Sequence, residues 1–258
     1  MAGNKTIDER VDSLDLSLFE KVDTESSDGD KTGWLATQRC LRKAGDGYVY
    51  LEIGSHLGGS VQQHLIDPKC RVIYSIDKRP LEQPDDRGMS FRYDGNSTER
   101  MLDNLRAVDA TQLPKVVCID SDASDVDPSR IEKRPEFCFI DAEHTHRAVL
   151  SDFAFCMRIC SDNAVIGFHD DWLMYPAFAD ILDGLEREGI PFRAFKLPGA
   201  TFMIALRAAP VLDDEGFMAL AGDGRRFIRN KRLKAFARKL VPPQLLPLAR
   251  KVGNRILR

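Results

Sequence analysis

Short apolar runs alternate with helical patterns from about residue 34 onwards. The runs are rich in β-branched and aromatic residues, as strands are when helices cover both faces of their sheet. Five runs are predicted to be strands: residues 48–53, 71–76, 115–119, 136–140 and 163–168. Strands that alternate with helices predict an α/β fold with a mostly parallel sheet.

The segments between these strands carry helix and turn signals. Three helices are predicted, starting near Asn96 (with Glu99 in a capping arrangement), after Thr145 and near Pro176. Residues 191–207 contain two strand-like runs joined by Pro198 and Gly199. This pattern predicts an antiparallel hairpin that closes the sheet.

Length and charge divide the chain into three predicted parts. With 258 residues the chain has room for one sizeable α/β domain, which we place at residues 31–210. Residues 1–30 contain nine Asp or Glu and little apolar periodicity, and they are predicted to form a flexible acidic leader. The sequence has neither a secretory signal pattern nor an apolar run of about 18 residues, so a cytoplasmic protein is expected.

Residues 211–258 are predicted to be a basic amphipathic extension. Its part from residue 224 onwards carries 12 Lys or Arg and no Asp or Glu. Such a segment can bind an anionic membrane surface, which would make the protein peripheral, or it can pack on the acidic body of its own domain. Nucleic acid is disfavoured as a partner because the rest of the chain is acidic and the fourth strand lacks a [DN]PP[YF] signature.

The six cysteines are scattered and form no CxxC pair. Several lie inside apolar strand or helix patterns, which favours buried free thiols over disulfides or a zinc site.

A glycine-rich turn follows the first predicted strand. Glu52 ends the strand, and Gly54, Ser55, Gly58 and Ser60 lead into the next helical pattern. Glycines allow the backbone to pass close to a ligand, and free amides at a helix start can hold an anionic group. The spacing differs from both GxGxxG and the P-loop. It resembles the [DE]xGxxxGxS motif of the class I S-adenosylmethionine-dependent methyltransferases.

Two further acids follow strands on the same predicted sheet edge. Asp77 closes the second strand, and Asp122 with Ala123 stands just after the third. The resemblance implies that Asp77 binds the ribose hydroxyls of S-adenosylmethionine and that Asp122 and Ala123 flank its adenine. Each acid can equally cap the helix that follows it.

Carboxylates and imidazoles cluster after the fourth and fifth strands. Asp141, Glu143 and His144 follow the fourth, and His169 and Asp170 follow the fifth. Adjacent parallel strands bring these ends to one rim, where such groups suit metal binding or acid–base catalysis. Alternatively, His144 and His146 simply lie at the solvent-exposed start of a helix. This alternative is stronger for His146 than for His144.

These two segments resemble the metal-assisted O-methyltransferases of the caffeoyl-CoA and sugar types, over residues 45–207. The resemblance implies that Asp141, His169 and Asp170 bind a divalent cation, with Asp141 also close to the cofactor, and that Glu143 or His144 is the base. His169 stands where many relatives have a carboxylate. Of the two expected cations, Mg²⁺ and Mn²⁺, the imidazole favours Mn²⁺ or another transition ion; alternatively His169 is itself the base and no metal is bound.

The predicted function is methyl transfer from S-adenosylmethionine to a hydroxyl group of a small molecule or carbohydrate. Trp172, Tyr175 and Phe178 are candidates for the wall of the acceptor site, although core packing explains Phe178 equally well. One alternative is an NAD-dependent oxidoreductase, which the glycine spacing disfavours. Another is a catalytically inactive nucleotide-binding module that its basic tail tethers to membranes. An oligomer is compatible with either function.

Overall fold

Short runs of Val, Ile, Phe and Tyr form the central sheet in the computed structural model, which describes residues 5–240 and side chains within residues 5–237. The strands are β1 Tyr48–Ile53, β2 Cys70–Ile76, β3 Glu82–Pro84, β4 Ser90–Arg92, β5 Val116–Ile119, β6 Phe137–Ile140, β7 Val165–Phe168, β8 Phe192–Lys196, β9 Phe202–Leu206 and β10 Gly222–Asp223. Eight of them form one sheet in the order β10-β8-β9-β7-β6-β1-β2-β5, and β3 and β4 form a separate hairpin.

The sheet is parallel from β7 to β5 and antiparallel at its other side. β1 pairs in parallel with both β2 and β6, whereas β9 pairs antiparallel with β7 and with β8. The prediction of a mostly parallel sheet closed by an antiparallel hairpin is therefore confirmed. The chain moves outward from β1 in both directions, so the carboxyl ends of β1 and β6 flank the point where the strand order reverses, at which such sheets bind ligands.

Helices cover both faces of the sheet. They are α1 Ile7–Asp12, α2 Asp28–Ala44, α3 Gln62–Leu65, α4 Thr98–Asp109, α5 His146–Ile159, α6 Asp171–Arg187, α7 Glu215–Leu220 and α8 Gly224–Leu240. One buried apolar cluster joins α5, α6 and α8 to the sheet. A second cluster, on the opposite face, contains residues of α1, α2, α3, α4 and α7.

Two helices begin at other residues than the sequence predicts. The side chain of Ser97, not Asn96, caps α4 by accepting a hydrogen bond from the backbone of Arg100. α6 begins at Asp171 and contains Pro176. A proline inside a helix removes only its own hydrogen bond and is not always the first residue, and this explains the error.

The predicted flexible leader is folded over its described residues 5–30. Thr6 and Ser27 cap α1 and α2 through reciprocal capping boxes. Leu18 and Phe19 are buried in the apolar cluster beside α2. The many acids of this segment had suggested disorder, but several of them serve as helix caps and the few apolar residues between them reach the core.

The predicted boundary near residue 210 does not divide the structure. β10 adds to the sheet through β8, Phe217 of α7 is fully buried, and Arg39 of α2 forms an ion pair with Asp214 at 3.0 Å. The basic extension therefore begins at α8. The part of the predicted extension after residue 240 lies outside the described residues.

The six cysteines are free, and five of them are buried, as predicted. Within residues 5–240 no helix combines the length and apolar character that crossing a membrane requires.

Candidate active site

The glycine turn after β1 requires glycine at two positions. Gly54 has φ +92°, and a Cβ at this position would overlap the carbonyl oxygen of Asp141. Gly58 has φ +86° and packs against Leu105 of α4. Other side chains would strain the left-handed backbone and push apart the ends of β1 and β6. The turn therefore brings its own amides close to the loop that carries Asp141.

Glu52 lies beneath this turn. It is fully buried, and Ser60 donates a hydrogen bond to Oε1 at 2.5 Å. Burial raises the pKa of Glu52 to about 8 although the hydrogen bond from Ser60 opposes this. Glu52 thus holds Ser60 and the turn in place from below, whereas Ser55 and Ser60 line a cavity above.

Asp77, at the end of β2, joins that strand to the glycine turn. Oδ2 accepts a hydrogen bond from the backbone of His56 at 2.9 Å, and Oδ1 accepts one from the backbone of Arg79 at 2.8 Å. Asp77 lines both of the cavities described below. It is therefore placed between them, at the carboxyl edge of the sheet.

The first cavity, of about 310 Å³, lies on the β2 and α5 side of Gly54. We call it the nucleoside cavity, and its lining includes Gly54, Asp77, Lys78, Gln83, Asp122, Ala123, Glu143 and Asp152. Asp122 accepts hydrogen bonds from the backbone and hydroxyl of Ser124. It caps a 3₁₀ turn, Ala123–Asp125, so its capping role and its position in the cavity coexist.

Asp152 is a buried acid that sequence reasoning missed. It faces the nucleoside cavity from α5, although its side chain is almost fully buried. Burial raises its pKa to about 7, and the charges of Asp122 and Glu143 add to this effect. The signal available in the sequence was an acid on a helix face that otherwise carries apolar residues.

Glu143 lies in the nucleoside cavity and not among the histidines. Its carboxylate forms an ion pair with Lys78 at 2.8 Å and accepts a hydrogen bond from Thr145 at 2.9 Å. Burial opposes the charged form, but Lys78 and Thr145 outweigh it and lower the pKa of Glu143. The prediction of Glu143 as a base is not supported by this placement, since Lys78 holds it away from the imidazoles.

The second cavity, of about 480 Å³, lies on the other side of Gly54. We call it the acceptor cavity. Its lining comprises the leader residues Asp23, Thr24, Glu25 and Ser26, the aromatic residues Phe91, Tyr93 and Trp172, and the polar groups Asp141, His144, His169 and Asp170, among others. Gly54, Asp77 and Gln83 belong to both cavities. The two cavities are therefore neighbours across the glycine turn.

Asp141, His144 and Asp170 form a compact cluster at the base of the acceptor cavity. One potential ligand atom from each lies within 4.8 Å of the others. Nε2 of His144 is 2.9 Å from Oδ2 of Asp170 and 3.9 Å from Oδ1 of Asp141. Neither ring nitrogen of His144 is aligned for a hydrogen bond. The cluster contains His144 where the sequence predicted His169.

His169 stands beside the cluster. Nδ1 is 3.4 Å from Asp141 and 3.7 Å from Asp170, while Nε2 faces Asp30. Burial disfavours its charged form, but the three carboxylates outweigh this and raise the pKa of His169 far above its ordinary range. The pKa of His144 rises to about 9 for the same reason. The carboxylates around both imidazoles therefore favour the protonated, positively charged form of each ring.

The structure separates other candidates from this site. His146 points to the surface, where its Nε2 lies 2.9 Å from Asp180. Trp172 lines the acceptor cavity and donates a hydrogen bond to Asp170 at 3.0 Å. Phe178 is a core residue stacked on Phe202, and Tyr175 is not among the lining residues of the acceptor cavity.

The leader and the β3–β4 hairpin contribute residues that the sequence did not indicate. Glu25 and its neighbours come from the leader, and Phe91, from β4, packs edge-on against His144 at 5.4 Å. The signal for the leader was the Ser27-x-x-Asp30 capping box before an apolar run. The hairpin gave no signal that distinguishes it from a surface loop.

The fold is the Rossmann-like α/β sheet that is found in methyltransferases of known structure. Residues 51–170 match the family model described as a methyltransferase domain. The matched segment runs from β1 to Asp170 and includes the glycine turn, Asp77 and the cluster of acids and imidazole. No curated protein matches the chain.

Solved structures with the same fold are distant in sequence. Cofactor-bound Rv0187 from MTB is 14% identical, with a TM-score of 0.50 over 81% of this chain and 93% of that chain. The calicheamicin methyltransferase CalS11 is also 14% identical, with a TM-score of 0.50 over 77% of this chain and 91% of that chain. The O-methyltransferase TomG from Streptomyces achromogenes is 13% identical, with a TM-score of 0.49 over 79% and 90% of the two chains.

Proposed function

We propose that this protein transfers the methyl group of S-adenosylmethionine to a hydroxyl group of a small molecule or carbohydrate, with a divalent cation bound by Asp141, His144 and Asp170. The observation that carries the proposal is this cluster of acids and imidazole, which lies in the cavity next to the glycine turn. A hydroxyl is a poor nucleophile at neutral pH, so its methylation needs help to remove the proton.

The two cavities suit the two substrates. Asp77 and Asp152 offer acceptor oxygens for the hydroxyl and amino groups of a nucleoside in the nucleoside cavity. The glycine turn also lines the neighbouring acceptor cavity, and those of its amides that donate to no protein acceptor can hold a carboxylate. Because both cavities include Gly54, a sulfonium placed across this turn directs its methyl group towards the acceptor cavity.

The donor set of the cluster fits a divalent cation. Two carboxylates and one imidazole are ligands of Mn²⁺ and other first-row transition ions, and one imidazole makes Mg²⁺ or Ca²⁺ less suitable. The ring nitrogen of His144 lies close to two carboxylates without a hydrogen bond to either. Groups that converge in this way leave a position that a cation can take.

The neighbouring side chains would orient the acceptor and move its proton. A bound cation supplies positive charge for the developing oxyanion and offsets the carboxylates around the imidazoles. With a cation offsetting the carboxylates that favour its protonated form, His169, which lines the acceptor cavity, would be the base rather than Glu143, which Lys78 holds in the nucleoside cavity. Trp172 and Tyr93 form an aromatic wall against which the ring of a sugar or other acceptor can pack.

A two-stage experiment tests this function. Calorimetry first measures binding of S-adenosylhomocysteine, and a screen of hydroxylated metabolites and glycans then detects a mass gain of one CH₂ group. We expect binding, and activity that EDTA removes and Mn²⁺ restores. A folded protein that binds no S-adenosylhomocysteine would refute the methyltransferase function, and activity unaffected by EDTA would refute the cation.

A further inference from the structure

The last helix of the described residues, α8, packs on the domain through one face of its described side chains, residues 224–237. Phe227 contacts the ring of Phe202 at 6.2 Å, and Ile228 is 5% exposed. Ala235, two helical turns after Ile228, continues this packed face and is partly buried. α8 is therefore anchored to the core near its start.

The opposite face of α8 carries apolar side chains in water. Leu233 is 59% exposed and Phe236 is 62% exposed. At 100° per residue, Leu233 lies about 140° around the helix from Ile228. Arg226 and Arg229 are exposed and lie on the same outward side. This outward face, which we define as Arg226, Arg229, Leu233 and Phe236, combines cations with large apolar groups.

Charge identifies the class of partner. Residues 224–240 contain eight Lys or Arg and no Asp or Glu. The sequence from 241 to 258 adds four more cations and several Leu, Ile and Val residues, again without an acid. These cations favour an anionic partner. The exposed Leu and Phe side chains favour a partner that also has a hydrocarbon region into which they can insert. Nucleic acid meets only the first condition.

The direction of α8 relates this face to the active site. Arg225, at the start of α8, forms an ion pair with Glu186 near the end of α6. Arg232, two turns later, approaches Asp180, nearer the start of α6, at 4.0 Å. The two helices are therefore antiparallel. α6 begins directly after Asp170, so the exposed end of α8 points towards the edge of the sheet that holds the acceptor cavity.

We propose that the outward face of α8 docks on an anionic lipid bilayer. The cations bind the headgroups, while Leu233 and Phe236 enter the boundary between headgroups and acyl chains. Docking in this way lays α8 along the bilayer surface, with its exposed end on the side of the acceptor cavity. This interaction does not depend on the proposed methyl transfer.

Co-sedimentation of the full chain with vesicles tests the proposal. Vesicles of phosphatidylcholine and phosphatidylglycerol, in roughly a two-to-one ratio, are compared with vesicles of phosphatidylcholine alone. We expect binding to the anionic vesicles only. The double variant Leu233→Ala/Phe236→Ala should bind them at least about tenfold more weakly, because it loses apolar side chains that enter the bilayer. Both residues are exposed, so the variant should fold, which circular dichroism checks.

Charge reversals provide a matched pair. Arg226→Glu/Arg229→Glu should weaken binding by more than about tenfold. Arg130→Glu/Lys133→Glu changes two exposed cations of the loop before β6, at the opposite edge of the sheet, and should leave binding unchanged. The proposal is overturned if the wild type does not bind anionic vesicles, if the Leu233→Ala/Phe236→Ala variant binds as the wild type does, or if both charge reversals weaken binding equally. Binding to a single-stranded polynucleotide but not to vesicles would also overturn it.

Discussion

Oδ2 of Asp30, in the first turn of α2, lies 3.7 Å from Nε2 of His169, at the end of β7. Asp30 is buried and also accepts hydrogen bonds from the backbone of Ala200 at 2.7 Å and the hydroxyl of Thr201 at 2.9 Å. Those two bonds reach Oδ1, whereas the backbone and hydroxyl of Ser27 donate to Oδ2. One carboxylate therefore joins the leader, the β8–β9 turn and an imidazole of the candidate site.

The first prediction concerns Asp30→Asn. Asparagine has one acceptor oxygen, so it loses part of these bonds and should lower the free energy of unfolding by about 1–3 kcal/mol at pH 7. Although burial opposes it, His169 and Ser27 hold the pKa of Asp30 well below its ordinary value. Its stabilisation is present above the pKa of the unfolded state and is lost as the pH falls below it. With an unfolded-state pKa of 3.8, the difference between variant and wild type should stay nearly constant down to about pH 4 and shrink between about pH 4 and pH 2.

Urea unfolding at the two pH values measures this difference. Asp28→Asn is the control, because Asp28 lies in the same helical turn with its side chain 84% exposed. A deficit of Asp30→Asn that is as large at pH 2 as at pH 4 would show that lost packing, and not the charge, is responsible.

The second prediction concerns the cation. Mn²⁺ should raise the melting temperature of the wild type, since a ligand that binds only the folded state stabilises it. Asp170→Asn should weaken Mn²⁺ binding at least about tenfold. Asp180→Asn should not, although Asp180 lies at the same 2.9 Å from a histidine as Asp170 does. The His146–Asp180 pair is outside the cluster, so equal effects of the two substitutions would contradict the assigned site.

The third prediction concerns Asp152 and the adenine base. Asp152→Leu should weaken binding of S-adenosylhomocysteine about tenfold, because the polar edge of the base would lose its partner. Asp152→Asn keeps an acceptor and gains a donor, so its affinity should stay within about threefold of the wild type. Calorimetry on the two variants measures both values. Equal affinity of the Leu variant and the wild type would place the base elsewhere.

The fourth prediction concerns Glu52. Its pKa of about 8 in the folded protein exceeds the ordinary value of 4.5 for a glutamate, so the folded state binds the proton more tightly than the unfolded state. Stability should therefore fall as the pH rises from about 5 to 8, by roughly 4 kcal/mol at most. Glu52→Gln mimics the protonated form and can still accept from Ser60. This variant should match the wild type near pH 5 and exceed it above pH 8.

Unfolding free energies across this pH range test the prediction. The exposed Glu188→Gln substitution should reproduce the pH dependence of the wild type. A Glu52→Gln variant that keeps the same slope as the wild type would show that Glu52 does not hold its proton in the folded state.

Much of the fold follows from local patterns. The central strands β1, β6 and β7 are short, buried and mostly apolar runs, and such runs can be recognised in the sequence. Gly54 signals a close approach of two segments because only glycine permits it. These features need no knowledge of distant contacts.

The composition of the candidate site follows less directly. The sequence brings Asp141, His144, His169 and Asp170 to one rim, but the choice between His144 and His169 depends on side-chain directions that only the packed loops determine. Asp30 reaches the site from a segment whose acidity suggested disorder. Asp152 lies on a helix, and which side of that helix faces the cavity depends on how the helix packs on the sheet. The placement of these residues therefore depends on contacts between segments that are distant in the sequence.

Gln62 connects the folded leader to the glycine turn. Its amide oxygen accepts hydrogen bonds from the backbone of Lys21 and Val22, and its nitrogen donates to the carbonyls of Val22 and Gly59. The same side chain thus joins the segment that covers the acceptor cavity to the turn that forms its floor. A shortened version starting at residue 31 would leave that turn without its brace, whereas exchanging residues 20–27 between homologous enzymes offers a route to altered acceptor choice.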